Sequence, residues 1–239
     1  MTTILGSYVR MLPYMGKVAL KMFGNYSRRC NLCRFSGNFL AFGFPPRFDA
    51  LCPHCGSIER HRLFGVWLDQ NKEEVAGKDV LHFAPESIVT TMVKPLARTY
   101  RTADLDPRYG DIVLNIEDIA LPDQSVDLII CNHVLEHVNP ELALSQLRRI
   151  LRQGGKLLLM FPIVEGLDET YRNPEITTPR DRDLHFGQDD HLQLFGRDIR
   201  ITIVKSGLHL TEFTAVEPNV SRYSLIPGDK VFIASRNHI

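Results

Sequence analysis

The sequence predicts an α/β protein with a doubly wound, mostly parallel sheet and a small cysteine-containing module in front of it. From residue 79 onward, apolar runs of strand length alternate with amphipathic segments of helix length. This alternation is typical of parallel sheets that carry helices on both faces. The chain has 239 residues, which is enough for one such domain and a small appendage. We therefore expect an apolar helical lead over residues 1–28, a cysteine module with a helix over 29–78 and the α/β domain over 79–239.

The composition argues against several classes of protein. Hydrophobic residues make up 44% and charged residues 23% of the chain, as in ordinary globular domains. No apolar run reaches the roughly 18 residues that a membrane-spanning helix needs. Four of the five cysteines form two close pairs, which favours a metal in a reducing compartment over a disulfide scaffold. We therefore expect a cytoplasmic protein, with Cys131 as a buried thiol.

The first 26 residues form an apolar stretch with scattered basic residues. Arg10, Pro13 and Lys17 interrupt it, which argues against a secretory signal. We favour a helix packed on its own domain. A peripheral contact of residues 1–28 with a membrane surface or a protein partner is the alternative.

The net charge is zero, but the charges are unevenly distributed. Residues 1–78 hold 11 Lys and Arg against 5 Asp and Glu, a net charge of +6, and residues 79–239 carry −6. A neutral whole argues against a dedicated nucleic-acid binder. The basic front part could still meet an anion.

The elements of the α/β domain follow from hydrophobic periodicity. Continuous apolar runs predict buried parallel strands, as in VDLIIC over 126–131. Leucines and isoleucines at helical spacing predict an amphipathic helix over 140–152, which Gly154 and Gly155 are expected to stop. The predicted strands cover 79–84, 99–104, 111–114, 126–131, 156–161, 209–215 and 231–235, and the predicted helices cover 86–97, 140–152 and 197–206.

Four cysteines form two knuckles. Cys30-x-x-Cys33 precedes Cys52-x-x-Cys55 by 18 residues, a spacing typical of zinc sites. Each knuckle directs two thiolates toward one point, and two knuckles complete a tetrahedron. With four protein ligands the Zn²⁺ would be structural rather than catalytic. His54 and His61 are alternative ligands, which we expect at the surface instead.

A helix should follow the second knuckle, from Ser57 as its N-cap to about Asn71. Arg60 and Arg62 on this helix could bind a phosphate or a substrate anion. They could equally form a solvated or domain-docking face, and the sequence leaves these two roles open.

Five stretches of residues 79–161 together resemble the class I S-adenosylmethionine-dependent methyltransferases, in particular the group whose fourth motif contains LEHV. The stretches stand in order and at matching intervals, and the resemblance fades after residue 162. They are VLHFAPE (80–86), ADLDP (103–107), NIEDIALPDQSVDLII (115–130), NHVLEHV (132–138) and RRILRQGGKLLL (148–159). The resemblance implies a seven-stranded Rossmann-like sheet, S-adenosylmethionine as the cofactor and methyl transfer as the reaction.

The resemblance also implies where the cofactor lies. Ligands of such sheets bind outside the carboxyl ends of the strands. Asp104 ends the second strand and would accept both ribose hydroxyls, with a turn-capping role as the alternative. The residues implied at the cofactor are Phe83, Ala84 and Glu86 at the methionine part, Asp104 and the following Leu105 at the ribose, Asn115, Ile116 and Glu117 (or Asp118) at the adenine, and Asn132 and His133 at the methyl group.

The sequence departs from the family at the turn after the first strand. The family usually has glycines there, whereas this chain has Ala84-Pro85-Glu86. Alanine and proline restrict the close backbone approach that glycine permits. We expect a reshaped turn that still binds the cofactor, with Glu86 at the amino group of the cofactor. Loss of cofactor binding is the alternative.

Methyl transfer to a hydroxyl or an amine needs a base that takes the proton of the acceptor. Histidine suits this task near neutral pH. We predict His191 as the base, with Asp190 and His133 as alternatives, and we expect His137 to pack or cap in the helix after the fourth strand. The charged stretch 165–190 before His191 is long enough to be a functional loop.

Three hypotheses for function follow. The leading one is a methyltransferase for a small molecule, a sugar or a natural-product intermediate. Its acceptor could be an anion that Arg172, Arg180 and Arg182 select. Alanine at these three positions should then weaken the affinity for the substrate. The second is an RNA methyltransferase whose zinc module grips RNA, which steeply salt-dependent RNA binding would support. The third is a non-enzymatic, zinc-containing partner-binding protein with a degenerate methyltransferase fold, which absent cofactor binding would favour.

Overall fold

The computed structural model describes residues 2–24 and 26–236, with side chains described from residue 11 onward. Contacts within the chain divide it into two compact units. The N-terminal unit contains residues 2–70 and Thr214–Asp229, and the sheet unit contains Asn71–Phe213 and residues 230–236. The division differs from the predicted boundaries at residues 28 and 78, because Thr214–Asp229 returns to the N-terminal unit.

The N-terminal unit contains helices and two short antiparallel hairpins. The first hairpin pairs β1 with β2 and the second pairs β3 with β4. Cys30 follows β1 and Cys52 follows β4, so each hairpin presents the first cysteine of one knuckle. The elements are α1 (Thr2–Met22), β1 (Ser27–Arg29), β2 (Ser36–Asn38), β3 (Leu40–Phe42), β4 (Arg47–Leu51) and α2 (Glu59–Gln70).

Helix α1 confirms the predicted helical lead, but its described side chains differ from our favoured interpretation. Between residues 11 and 22 only Val18 is half-buried and the other side chains are exposed, including Leu12 and Leu20. At its C-terminal end, Lys21 lies 5.7 Å above the ring of Phe48. These side chains are therefore not buried on their own domain. Within residues 2–24 and 26–236, no helix combines the length and apolarity that crossing a membrane requires.

Arg62 of α2 is fully buried, which answers the question left open for this helix. Its guanidinium donates to the carbonyls of Ser57 (2.7 Å), Ala50 (2.9 Å), Tyr223 (2.7 Å) and Ser224 (2.8 Å). Of the two roles left open, anion binding does not apply to Arg62, because its donors are already occupied by backbone acceptors. These bonds join the two separate stretches of the N-terminal unit.

The sheet unit contains the alternating elements that the periodicity predicted. The elements after α2 are β5 (Asp79–Phe83), α3 (Ser87–Val93), β6 (Thr99–Asp104), β7 (Ile112–Val113), β8 (Val126–Asn132), α4 (Pro140–Ile150), β9 (Leu151–Met160), β10 (Tyr171–Arg172), α5 (Pro179–Phe186), β11 (Gln193–Leu194), α6 (Ile199–Lys205), β12 (His209–Thr214), α7 (Asn219–Tyr223, in the N-terminal unit) and β13 (Lys230–Ser235). Helices lie between most successive strands, but no α-helix lies between β6 and β7, between β7 and β8 or between β9 and β10. Single 3-10 turns cover Lys72–Glu74 and Leu135–His137.

Seven strands form one sheet in the order β12-β13-β9-β8-β5-β6-β7, which confirms the predicted seven-stranded, mostly parallel architecture. Strands β5 to β9 pair with one another in parallel, and β13 pairs with β9 antiparallel. The central strands are buried along their length because they are apolar at nearly every position, as in Leu128–Cys131. Leu144 and Leu147 of α4 join the same buried core.

The observed strands lie within a few residues of the predicted ones, but the two glycines act differently from our expectation. Helix α4 ends at Ile150, before the glycines, and β9 starts at the next residue. Gly154 and Gly155 lie inside β9, where a Cβ at Gly155 would stand 2.9 Å from the carbonyl oxygen of Asp127. Close approach of neighbouring strands therefore explains Gly155.

The stretch 165–190 is not one long loop. It contains β10, which pairs with β11, and helix α5. The Thr178 side chain caps α5 by accepting from the backbone N–H of Asp181, and Gly187 ends the helix in the left-handed conformation with φ +82°. Local capping signals therefore order part of this stretch.

Candidate functional site

A cavity of about 480 Å³ opens at the carboxyl ends of the parallel strands. It lies where the strand order reverses, since β6 and β7 extend the sheet on one side of β5 and β8 extends it on the other. Ligands of doubly wound sheets bind at this position, and the volume suits a small organic cofactor. The lining residues are Phe83, Ala84, Ala103, Asp104, Leu105, Leu114, Ile116, His133, Val134, His137, Val138 and Asp190.

Ala84 has the backbone conformation that glycine usually provides. Its φ is +44°, and its N–H donates to the carbonyl of Ala103 at 2.9 Å. The chain therefore turns sharply after β5 although no glycine is present. The left-handed conformation costs an L-residue roughly 1–2 kcal/mol, so the turn keeps its shape at the expense of stability.

We expect Ala84→Gly to change the free energy of unfolding of the sheet unit by less than about 1 kcal/mol, because relief of the left-handed strain offsets the larger conformational entropy of glycine. Ala143→Gly is the control, since Ala143 is buried in α4 and glycine in a helix destabilises by about 1 kcal/mol. Denaturant unfolding followed by circular dichroism measures both. A loss at position 84 as large as at position 143 would show that Ala84 is unstrained.

Asp104 lies at the end of β6 and lines the cavity, as predicted. One of its oxygens, Oδ1, accepts the N–H of Asp106 at 2.9 Å. A carboxylate has about four acceptor positions, so this bond leaves capacity for two hydroxyl donors. Leu114 and Ile116 on the same wall are buried, which gives the cavity an apolar surface beside the carboxylate.

Four of the predicted cofactor residues do not line the cavity. Glu117 accepts the backbone N–H of Asn139 through Oε1 at 2.6 Å, and the Asn115 side chain accepts the backbone N–H of Glu117 at 2.9 Å. Asn132 is buried, and its amide lies 3.5 Å from Glu86 Oε2. The other six predicted residues line the cavity: Phe83, Ala84, Asp104, Leu105, Ile116 and His133.

His133 is the first residue after β8 and also has a left-handed backbone, with φ +54°. Its N–H donates to the carbonyl of Met160 at 2.6 Å. Its ring Nδ1 lies 3.2 Å from Oε1 of Glu136, whose side chain is only 2% exposed. Non-glycine residues in this conformation are concentrated at functional sites. The buried carboxylate therefore orients a histidine that lines the cavity.

The three predicted candidates for the base occupy different positions. His133 and Asp190 line the cavity, whereas His191 is buried and its Nδ1 lies 3.2 Å from the carbonyl oxygen of Phe186. Sequence reasoning assigned His137 to packing, yet it lines the cavity too, with Nδ1 3.3 Å from Asp190 Oδ2. The signal available in the sequence was the position of His137 in LEHV, three residues after Val134, which also lines the cavity.

The four cysteine sulfur atoms come together in the N-terminal unit and lie within 4.8 Å of one another. Cys30 Sγ lies 3.7 Å from Cys55 Sγ, and Cys33 Sγ lies 3.7 Å from Cys52 Sγ. A tetrahedron with Zn–S bonds of about 2.3 Å has sulfur–sulfur distances of about 3.8 Å, so the quartet fits Zn²⁺. Burial is the main cause that raises the pKa of the Cys33 thiol to about 12. A metal at this site would therefore displace protons.

The surroundings of the quartet differ from expectation at two residues, Ser57 and His61, the second of which is buried rather than at the surface. Ser57 is not the N-cap of α2, which begins at Glu59. Its hydroxyl lies 3.2 Å from Cys55 Sγ and 3.4 Å from Cys30 Sγ. His61 Nδ1 instead accepts the N–H of Ile58 at 3.2 Å, so it is not a ligand. Cys131 is fully buried in β8, as predicted, and burial raises the pKa of its thiol well above the usual range.

The three loop arginines do not form one cluster of free cations. Arg172 pairs with Glu141 at 3.1 Å, and its charge is therefore partly balanced. Arg180 is exposed and Arg182 is half-buried. Selection of an anionic acceptor by these residues stays a prediction.

Residues 78–159 match the family model described as a methyltransferase domain. This segment contains β5 to β9 and most of the cavity wall. A 49-residue segment is 45% identical to an uncharacterised protein of Methanocaldococcus jannaschii and covers 20% of this chain and 22% of that protein. This 49-residue match covers about a fifth of each protein, so it carries no conclusion about either protein as a whole.

Two solved structures share the fold. One is the CurJ carbon methyltransferase, with a TM-score of 0.50 and 17% identity over 75% of this chain and 53% of that chain. The other is the Burkholderia thailandensis 1,6-didemethyltoxoflavin-N1-methyltransferase with bound 1,6-didemethyltoxoflavin and S-adenosylhomocysteine, with a TM-score of 0.51 and 12% identity over 74% of this chain and 77% of that chain. This chain thus spans about half the length of the first. At these identities the likeness concerns the fold.

Proposed function

We propose, since residues 78–159 match the family model of a methyltransferase domain, that the protein transfers a methyl group from S-adenosylmethionine to a hydroxyl or an amine of a small molecule, a sugar or a natural-product intermediate. The observation that carries the proposal is the cavity at the carboxyl ends of β5, β6 and β8, with Asp104 on its wall. A carboxylate beside an apolar surface suits a ribose joined to an adenine ring.

The residues of the cavity fit this cofactor. Asp104 would accept hydrogen bonds from the ribose hydroxyls, and Leu114 and Ile116 would contact the adenine ring. The turn at Ala84 would leave room for the methionine part, because its left-handed backbone moves the chain away after β5. The cofactor supplies a methyl group on a positively charged sulfur, which makes that carbon electrophilic.

His133 would accept the proton of the acceptor. As the acceptor oxygen or nitrogen forms its bond to the methyl carbon, the carbon–sulfur bond breaks and the acceptor loses a proton. Glu136 lies on the Nδ1 side of the His133 ring at 3.2 Å, so Nε2 is the nitrogen left to take this proton. A buried carboxylate that orients a histidine also stabilises the imidazolium that forms.

The geometry favours His133 over the other two candidates. His191 is 7% exposed and does not line the cavity, whereas 30% of the His133 side chain is exposed. Asp190 lines the cavity, but its carboxylate lies 3.3 Å from His137 Nδ1 and would orient that ring. Since His191 does not line the cavity, it could take part in proton transfer only indirectly, through the adjacent ring of His137.

The proposal is tested by titrating the full chain with S-adenosylmethionine and S-adenosylhomocysteine in a calorimeter. We expect both to bind with micromolar dissociation constants, since the cavity is preformed. Failure of both ligands to bind would favour the non-enzymatic, partner-binding alternative. RNA binding that falls steeply with salt would instead favour an RNA acceptor.

We expect His133→Asn to lower kcat by about 100- to 10,000-fold while the dissociation constant of S-adenosylmethionine changes little, because proton transfer contributes about this much to catalysis. His185→Asn is the matched control, since His185 bonds to Tyr171 and does not line the cavity. Single-turnover kinetics on an acceptor found by screening would measure both variants. An unchanged rate in the His133 variant would remove this residue from proton transfer.

We further propose that the cysteine quartet holds a structural Zn²⁺, as its 3.7 Å sulfur–sulfur distances support. Cys52→Ser should then lose about one equivalent of zinc per chain and the cooperative unfolding of the N-terminal unit. Cys131→Ala, which alters a thiol far along the chain in β8, should lose no zinc. Elemental analysis and Trp67 fluorescence measure the two effects, and equal zinc contents in both variants would contradict the proposal.

A further inference from the structure

We infer that Glu136, His137 and His191 form a second metal site, for a divalent transition-metal ion, at the edge of the cavity. One ligand atom from each residue lies within 4.8 Å of the other two. A single ion with bonds of about 2.0–2.2 Å would contact all three after side-chain movements on the order of 1 Å. Two histidines and one carboxylate are a ligand set that zinc and non-haem iron sites share.

Each of the two histidine rings has a partner at Nδ1, which leaves its Nε2 for a metal ion. His191 Nδ1 lies 3.2 Å from the carbonyl oxygen of Phe186, and His137 Nδ1 lies 3.3 Å from the carboxylate of Asp190. A ring that donates its Nδ1–H to a carbonyl or a carboxylate keeps the lone pair of Nε2 free. Metal-binding histidines almost always have such a partner on the second nitrogen. The two rings also meet edge to face, with centroids 4.8 Å apart.

Glu136 supplies the second, independent observation. Its side chain is 2% exposed, and its Oε1 is the oxygen that pairs with His133. The other oxygen, Oε2, is buried and has no hydrogen-bond partner among the described residues. An unpaired carboxylate oxygen in such a position carries a large desolvation cost, which a bound cation would remove.

The backbone around the three ligands is held in place by hydrogen bonds. The N–H of Leu192 donates to the carbonyl of Glu136 at 2.9 Å. The side-chain amide of Gln193 donates to the carbonyls of Leu135 and Val138, both at 2.9 Å. These bonds fix the segment with His191 against the turn Leu135–His137. The ligand arrangement is therefore preorganised although its residues are about 55 positions apart in sequence.

Three protein ligands leave a coordination position open, as in catalytic rather than structural zinc sites. His137 lines the cavity, so an ion bound to it would be reached from the cavity. The open position suits an oxygen of the acceptor molecule, such as a hydroxyl or a carboxylate. This last step rests on the proposed methyl transfer, whereas the existence of the metal site does not.

The test is the metal content of the full chain after equilibration with excess Zn²⁺ and removal of free metal. We expect about two zinc equivalents per chain, one of them from the cysteine quartet. His191→Gln and Glu136→Gln should each reduce this to about one and keep the circular dichroism spectrum, and His185→Gln should keep about two. Because the readout is zinc content, failure of methyl transfer would leave it unaffected.

Cys52→Ser distinguishes the two sites. In that variant about one zinc should remain, and adding His137→Gln should remove it. The side chain of His137 is more exposed than those of Glu136 and His191. His137→Gln is therefore expected to fold even if the Glu136 and His191 variants do not. About one equivalent in the unmodified chain, or contents that do not change in the His191, Glu136 and His137 variants, would overturn the inference.

Discussion

Arg62→Met should lower the free energy of unfolding of the N-terminal unit by about 3–5 kcal/mol, because several buried carbonyls lose their donor at once and each such loss costs about 1–3 kcal/mol before relaxation. Arg62 donates to four carbonyls that come from β4, from Ser57 just after the second knuckle and from Tyr223 and Ser224 at the C-terminal end of α7. Methionine is unbranched and apolar and replaces the aliphatic part of the arginine side chain, whereas the guanidinium that lies 4.8 Å from the ring of Phe39 is lost. The variant therefore removes the four hydrogen bonds together with this cation–π contact and keeps an apolar side chain in the same position.

Trp67 makes this measurement specific to one unit. It is the only tryptophan in the chain and is buried in α2. Thermal and urea unfolding followed by its fluorescence thus report on the N-terminal unit. Arg60→Met, two residues earlier on a half-buried position of the same helix, should cost at most about 1 kcal/mol. If the two variants unfold alike, the four hydrogen bonds contribute little to stability.

Asp104→Asn should weaken S-adenosylmethionine binding by about 100-fold, since it replaces two charge-assisted hydrogen bonds to the ribose with weaker ones and a wrongly placed donor. Asp104 lines the cavity at the end of β6, and its Oδ1 already accepts the Asp106 N–H. The amide oxygen of asparagine can keep that bond. The expected loss therefore concerns the cofactor and not the local fold.

Asp106→Asn is the matched control for this measurement. Asp106 stands two residues away, its carboxylate pairs with Arg108, and it does not line the cavity. Calorimetry should give the unmodified affinity for this variant. If Asp104→Asn binds S-adenosylmethionine with the same affinity as the unmodified chain, the ribose lies elsewhere. Asp104 then has only the turn-capping role that its bond to the N–H of Asp106 indicates.

The sheet could be predicted because its strands carry their own signal. In β8, the five consecutive buried positions from Leu128 to Asn132 leave no solvent-facing alternation, and only a central parallel strand has two buried faces. The site at the carboxyl ends follows from that topology. The cysteine quartet could be predicted because ligand spacing within each knuckle is local.

Features that depend on distant residues could not be predicted in this way. The burial of Arg62 depends on carbonyls more than 160 positions later in the chain. The contacts of His137 beside the cavity are with Asp190 and His191. These residues are more than 50 positions later in the chain, so the sequence around His137 does not indicate them. The left-handed backbone of Ala84 had no local signal, since alanine rarely adopts it.

The return of Thr214–Asp229 to the N-terminal unit has a consequence for the order of events during synthesis. The knuckles and α2 leave the ribosome first, but Tyr223 and Ser224, which accept hydrogen bonds from Arg62, follow more than 150 residues later. At a synthesis rate of about 5–20 residues per second, the nascent N-terminal unit waits on the order of ten seconds for its last segment. During that interval the guanidinium of Arg62 lacks two of its four acceptors. The N-terminal unit is thus completed only after residues 71–213 of the sheet unit have been synthesised.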